Sequence, residues 1–254
     1  MIESLQSPHV GRVKALLTSK KERLDSQRFI AEGIQCIREA LAIEGQIETL
    51  YLTKSGAERL TKAGIEYSQV NVVEISDRVA EAMSDAITTQ GIIAICRNIK
   101  HDLEELSKFN REHLIYLQEI QDPGNAGTIL RTADAMGIAA VVTSPGSVDL
   151  YSPKVVRSTA GSLWHIPIFS GIELADLKKT LPEHLIYILD GNGKKFLTDI
   201  DPKEPAIWIF GNEARGLKEE IAGERISIAM PGRAESLNLA AAAAIVMHEI
   251  SRSK

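Results

Sequence analysis

From Leu114 onward, short β-branched apolar runs alternate with helical stretches, and this alternation narrows the folds open to the chain more than any other feature. Leu114-Ile-Tyr-Leu117, Ala139-Ala-Val-Val-Thr143, Ile166-Pro-Ile168, Leu185-Ile-Tyr-Ile-Leu189, Ala206-Ile-Trp-Ile-Phe210 and Ile226-Ser-Ile228 read as strands. Helices are expected between most of them, at 125–137, 153–162, 173–180 and 236–252. Strands that are apolar throughout must be covered on both faces, so the spacing predicts an α/β domain with a mostly parallel sheet.

The first hundred residues follow a looser α/β grammar. Helical spacing of Val10, Val13, Leu16 and Leu17 predicts a helix over 9–24, and Ile34, Ile37, Ala40 and Leu41 predict another over 33–44. Ile47-Glu-Thr-Leu-Tyr-Leu52 alternates between Gly45 and Gly56 and reads as a strand. A helix near 56–63, a strand at 70–73, a helix at 76–84 and a strand at 92–96 complete a small domain over 1–97. Polar residues 98–112 are expected to link it to a larger domain over 113–254.

Several function classes are disfavoured. No apolar run in the 254 residues reaches the roughly 18 needed to span a bilayer. The N-terminus lacks the basic start and apolar core of a secretory signal, and Cys36 and Cys96 stand apart, so a cytoplasmic protein with reduced thiols is expected. Six histidines are scattered without ligand spacing, so no metal is expected. The net charge of −5 is unlike a dedicated nucleic-acid module, yet residues 1–28 hold six basic against three acidic residues. Such a segment can meet phosphates or serve as a solvated helix face.

Candidate chemistry gathers where strands end. Asp122-Pro-Gly-Asn-Ala-Gly follows the Leu114 strand; Pro123 and Gly124 suit the turn, and Asn125 is expected to cap the next helix. Arg131, six residues on, suits an oxygen nucleophile or phosphate, or equally a surface pair with Asp134 or Asp122. Leu189-Asp-Gly-Asn-Gly193 is a broken dinucleotide fingerprint, since Phe196 stands where a third glycine belongs, and it reads as a plain Asp-Gly turn. Gly211-Asn-Glu-Ala-Arg-Gly216 has glycines at both ends of a loop after a buried strand, as close backbone approach to a ligand requires. Glu213 at that depth calls for a cationic partner. Ser236-Leu-Asn238 opens an Ala-rich helix, with Ser236 in the position of an ordinary N-cap. Uncharged amides and hydroxyls at two strand ends suit a neutral or cationic small molecule better than a polyphosphate.

These three segments resemble the signature motifs of the SpoU/TrmH branch of the SPOUT RNA methyltransferases. Asn125 and Arg131 fall in the first, Gly211-Asn-Glu213 with Gly216 in the second, and Ile228 through Asn238 in the third. Tyr151-Ser-Pro-Lys-Val-Val-Arg-Ser-Thr-Ala-Gly161 is also similar to family members, and Arg28-Phe-Ile-Ala-Glu-Gly33 resembles an L30e-like RNA-binding domain. Ala229 departs from the pattern, standing where many relatives have proline.

The resemblance implies a SPOUT domain with a trefoil knot, a homodimer, and methylation of an RNA ribose 2′-hydroxyl by S-adenosyl-L-methionine. By residue, it implies Arg131 as the catalytic arginine, supported by Asn125, Glu213, Ser236 and Asn238. It implies cofactor contacts from Leu189, Asp190, Gly191, Gly211, Asn212, Ile228, Met230 and Leu237. Arg12, Lys14, Arg28, Lys154 and Arg157 are the candidate RNA contacts. Ribosomal RNA, in particular 23S, is the favoured substrate. Transfer RNA methylation, a non-catalytic RNA-binding or ribosome-assembly module, and a Rossmann-type nucleotide enzyme are the alternatives.

Overall fold

The computed structural model describes residues 1–212, 215–217 and 221–252. Contacts divide the chain into two units, Met1–Ile99 with Asp149–Trp164, and Lys100–Val148 with His165–Lys254. Within the first unit the chain forms α1 (Pro8–Thr18), α2 (Lys20–Ser26), β1 (Arg28–Glu32), α3 (Ile34–Leu41), β2 (Ile47–Leu52), α4 (Lys54–Lys62), β3 (Val72–Glu74), α5 (Asp77–Ala82) and β4 (Ile92–Arg97). It continues through β5 (Leu114–Leu117), α6 (Pro123–Ala135) and β6 (Ala140–Thr143), then through α7 (Pro153–Thr159), which belongs to the first unit. Then come β7 (Ile168–Ser170), α8 (Leu174–Thr180), β8 (Leu185–Leu189), β9 (Lys195–Phe196), β10 (Ala206–Phe210), β11 (Glu224–Ser227) and α9 (Leu239–Ser251).

The first unit is built on a four-stranded sheet in the order β1-β4-β2-β3. β4 runs antiparallel to β1 and β2, and β3 runs parallel to β2. Val10, Val13 and Leu16 of α1 pack with Ile30, Tyr51, Ile93 and Ile95 of the sheet. The helix expected over 9–24 is two helices. Ser19 is extended, and its hydroxyl accepts from the Glu22 N–H at 3.1 Å, capping a new helix in mid-run. β1 was not foreseen as a strand, because five residues directly after a helix show no alternation.

Asp149–Trp164 packs with this sheet although it comes late in the sequence. Arg23, 5% exposed, meets Asp149 at 2.7 Å and also donates to the Leu16 carbonyl. Phe29 lies against Tyr151 and Trp164, and the Cys36 thiol faces the Val156 carbonyl. In the stretch expected as a linker, a 3-10 helix at Leu103–Phe109 buries Leu106 in the core of the second unit.

The second unit holds a seven-stranded sheet in the order β7-β6-β5-β10-β8-β11-β9, with every pairing parallel. β5, β6 and β7 build outward in one direction. β8 to β11 build on the other side, with β10 inserted between β5 and β8. Reversal of building direction opens a crevice at the carboxyl ends of the strands, where open α/β sheets hold ligands. Pairing aligns those ends, with Phe210 opposite Leu117 and Ile226 opposite Leu189.

Two helix starts differ from expectation. Asp122, not Asn125, caps α6: its Oδ1 accepts the Asn125 N–H at 2.7 Å, and Pro123 takes the first helical position, where a missing N–H costs nothing. α9 begins at Leu239, later than the expected 236, and Asn238 rather than Ser236 caps it.

Candidate active site

A cavity of about 660 Å³ lies at these strand ends, within the usual range for small-molecule sites. The loop after β8 contributes Leu189, Asp190 and Gly191, and the loop after β10 contributes Gly211 and Asn212. Ile228, Met230 and Leu237 enter from the segment between β11 and α9. All eight expected cofactor contacts therefore line one cavity, and Asn125, Ser236 and Asn238 line it too.

Asn238 joins two of the motifs. Its Oδ1 accepts from the Ala240 and Ala241 N–H groups, capping α9, while its Nδ2 donates to Asn125 Oδ1 at 3.0 Å. One side chain thus fixes the start of a helix and the orientation of a neighbour at the cavity edge. The glycines of the second motif act on their own loop. A Cβ on Gly211 would come within 2.7 Å of the Gly216 carbonyl carbon, and Gly216 sits at φ +65°. Asn212 and Gly216 exchange backbone hydrogen bonds across that closure.

Several lining residues were missed by sequence reasoning, chiefly Arg225 and Glu235. Arg225 meets Asp190 at 2.5 Å. The Asn192 N–H, followed by this guanidinium, holds the Asp190 carboxyl below its ordinary range despite partial burial. Asp190 also accepts the Gly193 N–H through its carbonyl, which makes 190–193 the expected turn. Nothing in the local pattern marks Arg225, because strand pairing, not sequence distance, brings it to Asp190.

Arg131 does not line the cavity. It lies on an exposed face of α6. Six residues along a helix is about 9 Å of rise and about 120° away from Asn125 in direction. Neither surface pairing considered for it is formed, since Asp134 meets His165 at 2.9 Å and Asp122 caps the helix. The Arg131 side chain makes no ion pair or hydrogen bond with any described residue. Glu213 lies outside the described residues.

All five candidate RNA contacts fall in the first unit. Arg12 and Arg28 each meet a Glu48 oxygen at 2.6 Å. Burial works to raise the Glu48 pKa, but the two guanidinium groups overcome it and hold the carboxyl below its ordinary range. Arg157 meets Asp85 at 2.8 Å. Lys14 and Lys154 are exposed and form no ion pair with described residues.

A wholly parallel sheet with a ligand-sized cavity at its switch point, lined by amides, hydroxyls, apolar side chains and the charged Asp190, Arg225 and Glu235, defines an α/β protein with a small-molecule site. Residues 112–248 match the SpoU rRNA Methylase family, and residues 8–94 match the MRM3-like substrate binding domain. The chain belongs to the SpoU rRNA methylase family. It is 30% identical to the 23S rRNA (guanosine(2553)-2′-O)-methyltransferase RlmP of Bacillus subtilis, over 98% of each chain. The crystal structure of an AdoMet-bound rRNA methyltransferase from Sinorhizobium meliloti is 30% identical, covers 99% of this chain and 97% of its own, and superposes with a TM-score of 0.85. A structure concerned with 2-OH methylation of C/U34 on tRNA is 29% identical, with a TM-score of 0.53. It covers 57% of this chain and 97% of its own.

Proposed function

We propose that the protein is an S-adenosylmethionine-dependent RNA 2′-O-ribose methyltransferase that acts on 23S ribosomal RNA in the cytoplasm. The cavity carries this reading, because it unites eight expected residues of the three separated motifs with Leu189, Asp190 and Gly191 of a fourth segment at the carboxyl ends of parallel strands. Its residues fit the cofactor. Leu189, Phe210, Ile228, Met230 and Leu237 offer apolar walls for a purine, Asn125 and Ser236 offer polar groups, and Glu235 offers negative charge to a cation, while Asp190 is paired with Arg225. When bound, S-adenosylmethionine supplies an electrophilic methyl group on a sulfonium.

The protein then has to orient a ribose hydroxyl and help it lose its proton. Asn238 holds Asn125 in place, and Ser236 lies at the same edge. A guanidinium does not give up its proton at ordinary pH, so Arg131 orients the 2′-oxygen and stabilises its developing charge. Because Arg131 faces outward from its own α6, we place it at the cavity of a second copy in a homodimer. A trefoil-knotted second unit belongs to the same reading. So does a division of labour between an RNA-reading part (1–97), a linker (98–112) and a catalytic part (113–254).

Ribosomal RNA is favoured over transfer RNA by coverage. The ribosomal relative spans both units, whereas the transfer RNA structure matches little more than half of the chain. Methyl incorporation from labelled S-adenosylmethionine should appear in 23S RNA and not in total transfer RNA; the reverse pattern would move the substrate assignment. Arg131→Ala should abolish transfer while calorimetry still detects cofactor binding. Mixing Arg131→Ala with Asn238→Ala subunits should restore part of the activity, since one of the two sites in a mixed dimer is then intact. No recovery in demonstrated mixed dimers would place Arg131 at its own subunit's cavity.

A further inference from the structure

We infer that the Asn212 side chain is a positioning residue for the nucleophile side of the site and acts through the backbone of Glu119. This rests on the methyltransferase reading above. Glu119 follows β5 and adopts φ +50°, a left-handed conformation that is strained for a residue with a Cβ. Three side chains hold it there. Ser144, buried at the end of β6, accepts the Glu119 N–H at 2.8 Å. Asn212 Nδ2, from the loop after β10, donates to the Glu119 carbonyl at 2.8 Å. Gln121 Nε2 donates to the same carbonyl at 3.1 Å and to the Gly146 carbonyl at 2.8 Å.

The clamped residue stands three positions before Asp122, the cap that accepts the Asn125 N–H. The Glu119 conformation therefore sets where α6 starts, and with it the place of Asn125 beside Asn238. The other end of the Asn212 amide is also engaged, since Oδ1 accepts the Arg215 N–H at 3.0 Å. The side chain thus ties the second motif to the first at the wall of the cavity, which Asn212 also lines. Displacements of about 1 Å at a reacting centre can cost 10²-fold in rate, so the clamp acts on turnover more than on cofactor affinity.

Asn212→Asp keeps the size of the side chain and the acceptor for Arg215 but removes the donor to Glu119. Its turnover at saturating cofactor and RNA should fall by roughly tenfold or more. Its dissociation constant for S-adenosylmethionine, measured by calorimetry, should not weaken. Adding Glu119→Gly, which adopts the left-handed conformation without strain, should recover part of the lost turnover. Ser144→Ala removes the other end of the clamp and should show the same loss and the same recovery, which keeps the inference testable should Asn212→Asp fold poorly. Weakened cofactor binding with normal turnover, or no recovery on adding Glu119→Gly to either variant, would overturn it. A wild-type protein that neither binds the cofactor nor methylates RNA would instead overturn the functional reading beneath it.

Discussion

Cys36 is 3% exposed, with its thiol against the Val156 carbonyl. Burial pushes its pKa up from an ordinary value near 9 to about 11, and burial raises Cys96 as well. In the unfolded chain each thiol ionises near its ordinary value, so between there and about pH 11 the unfolded state gains stability that the folded state cannot match. The stabilisation is complete below the unfolded pKa and is lost as pH rises toward the folded one. Urea midpoints should therefore drop between pH 8 and pH 10.5, and Cys36→Ala should show a smaller drop, by on the order of 1–2 kcal/mol. Parallel curves for the two proteins would contradict the assignment. At neutral pH the thiol stays protonated and shielded, as expected of a core group rather than a reactive one.

Among the elements, α9 shows how a cap can serve structure and site together. Asn238→Ala loses both the cap and the bond to Asn125, and should destabilise the protein by about 1 kcal/mol. Asn238→Asp separates the two roles, because a carboxylate still caps the helix but cannot donate to Asn125 Oδ1. Its thermal midpoint should stay near wild type while methyl transfer falls at least several-fold. Equal losses of stability and activity in both variants would mean that the bond to Asn125 does nothing beyond the cap. The sequence pattern located this helix but misplaced its first residue, since Ser236, Asn238 and the intervening Leu237 all suit a start and only the fold selects Asn238. Strands β5, β8 and β10 were legible to the residue because each is an apolar run bounded by polar or turn residues, and β2 because it alternates between two glycine-marked turns. β1 was not, and neither was the two-residue β9, whose pairing with β11 depends on long-range packing. In the site, the residues expected to hold a cofactor fall together on one cavity, because each lies at or beyond the end of a parallel strand. The outward direction of Arg131 and the pairing of Arg225 with Asp190 were not, because both depend on helix phase and strand register.

At the scale of the whole molecule, Asp149–Trp164 is the segment where sequence order and packing part company. Motif order assigns it to the catalytic stretch, and its side chains complete the core of the first unit. The pair of buried Arg23 with half-buried Asp149 anchors one end, Tyr151 and Trp164 cover Phe29, and Val156 of α7 covers the Cys36 thiol. Removing the Asp149 charge leaves the buried Arg23 guanidinium uncompensated, at a cost on the order of 1–3 kcal/mol. Asp149→Asn should accordingly lower the urea midpoint of the full chain. It should also raise the rate at which a thiol reagent labels Cys36 at pH 7.5, because local opening of α7 uncovers that sulfur before global unfolding. Cys96 lies in the central strand β4, fully buried, and should be labelled only at the global unfolding rate. Faster labelling of Cys36 alone marks α7 as a separately opening part of the first unit. Equal acceleration of both thiols would mean that the segment unfolds only with the rest of the unit, and that the ion pair stabilises that unit as one piece.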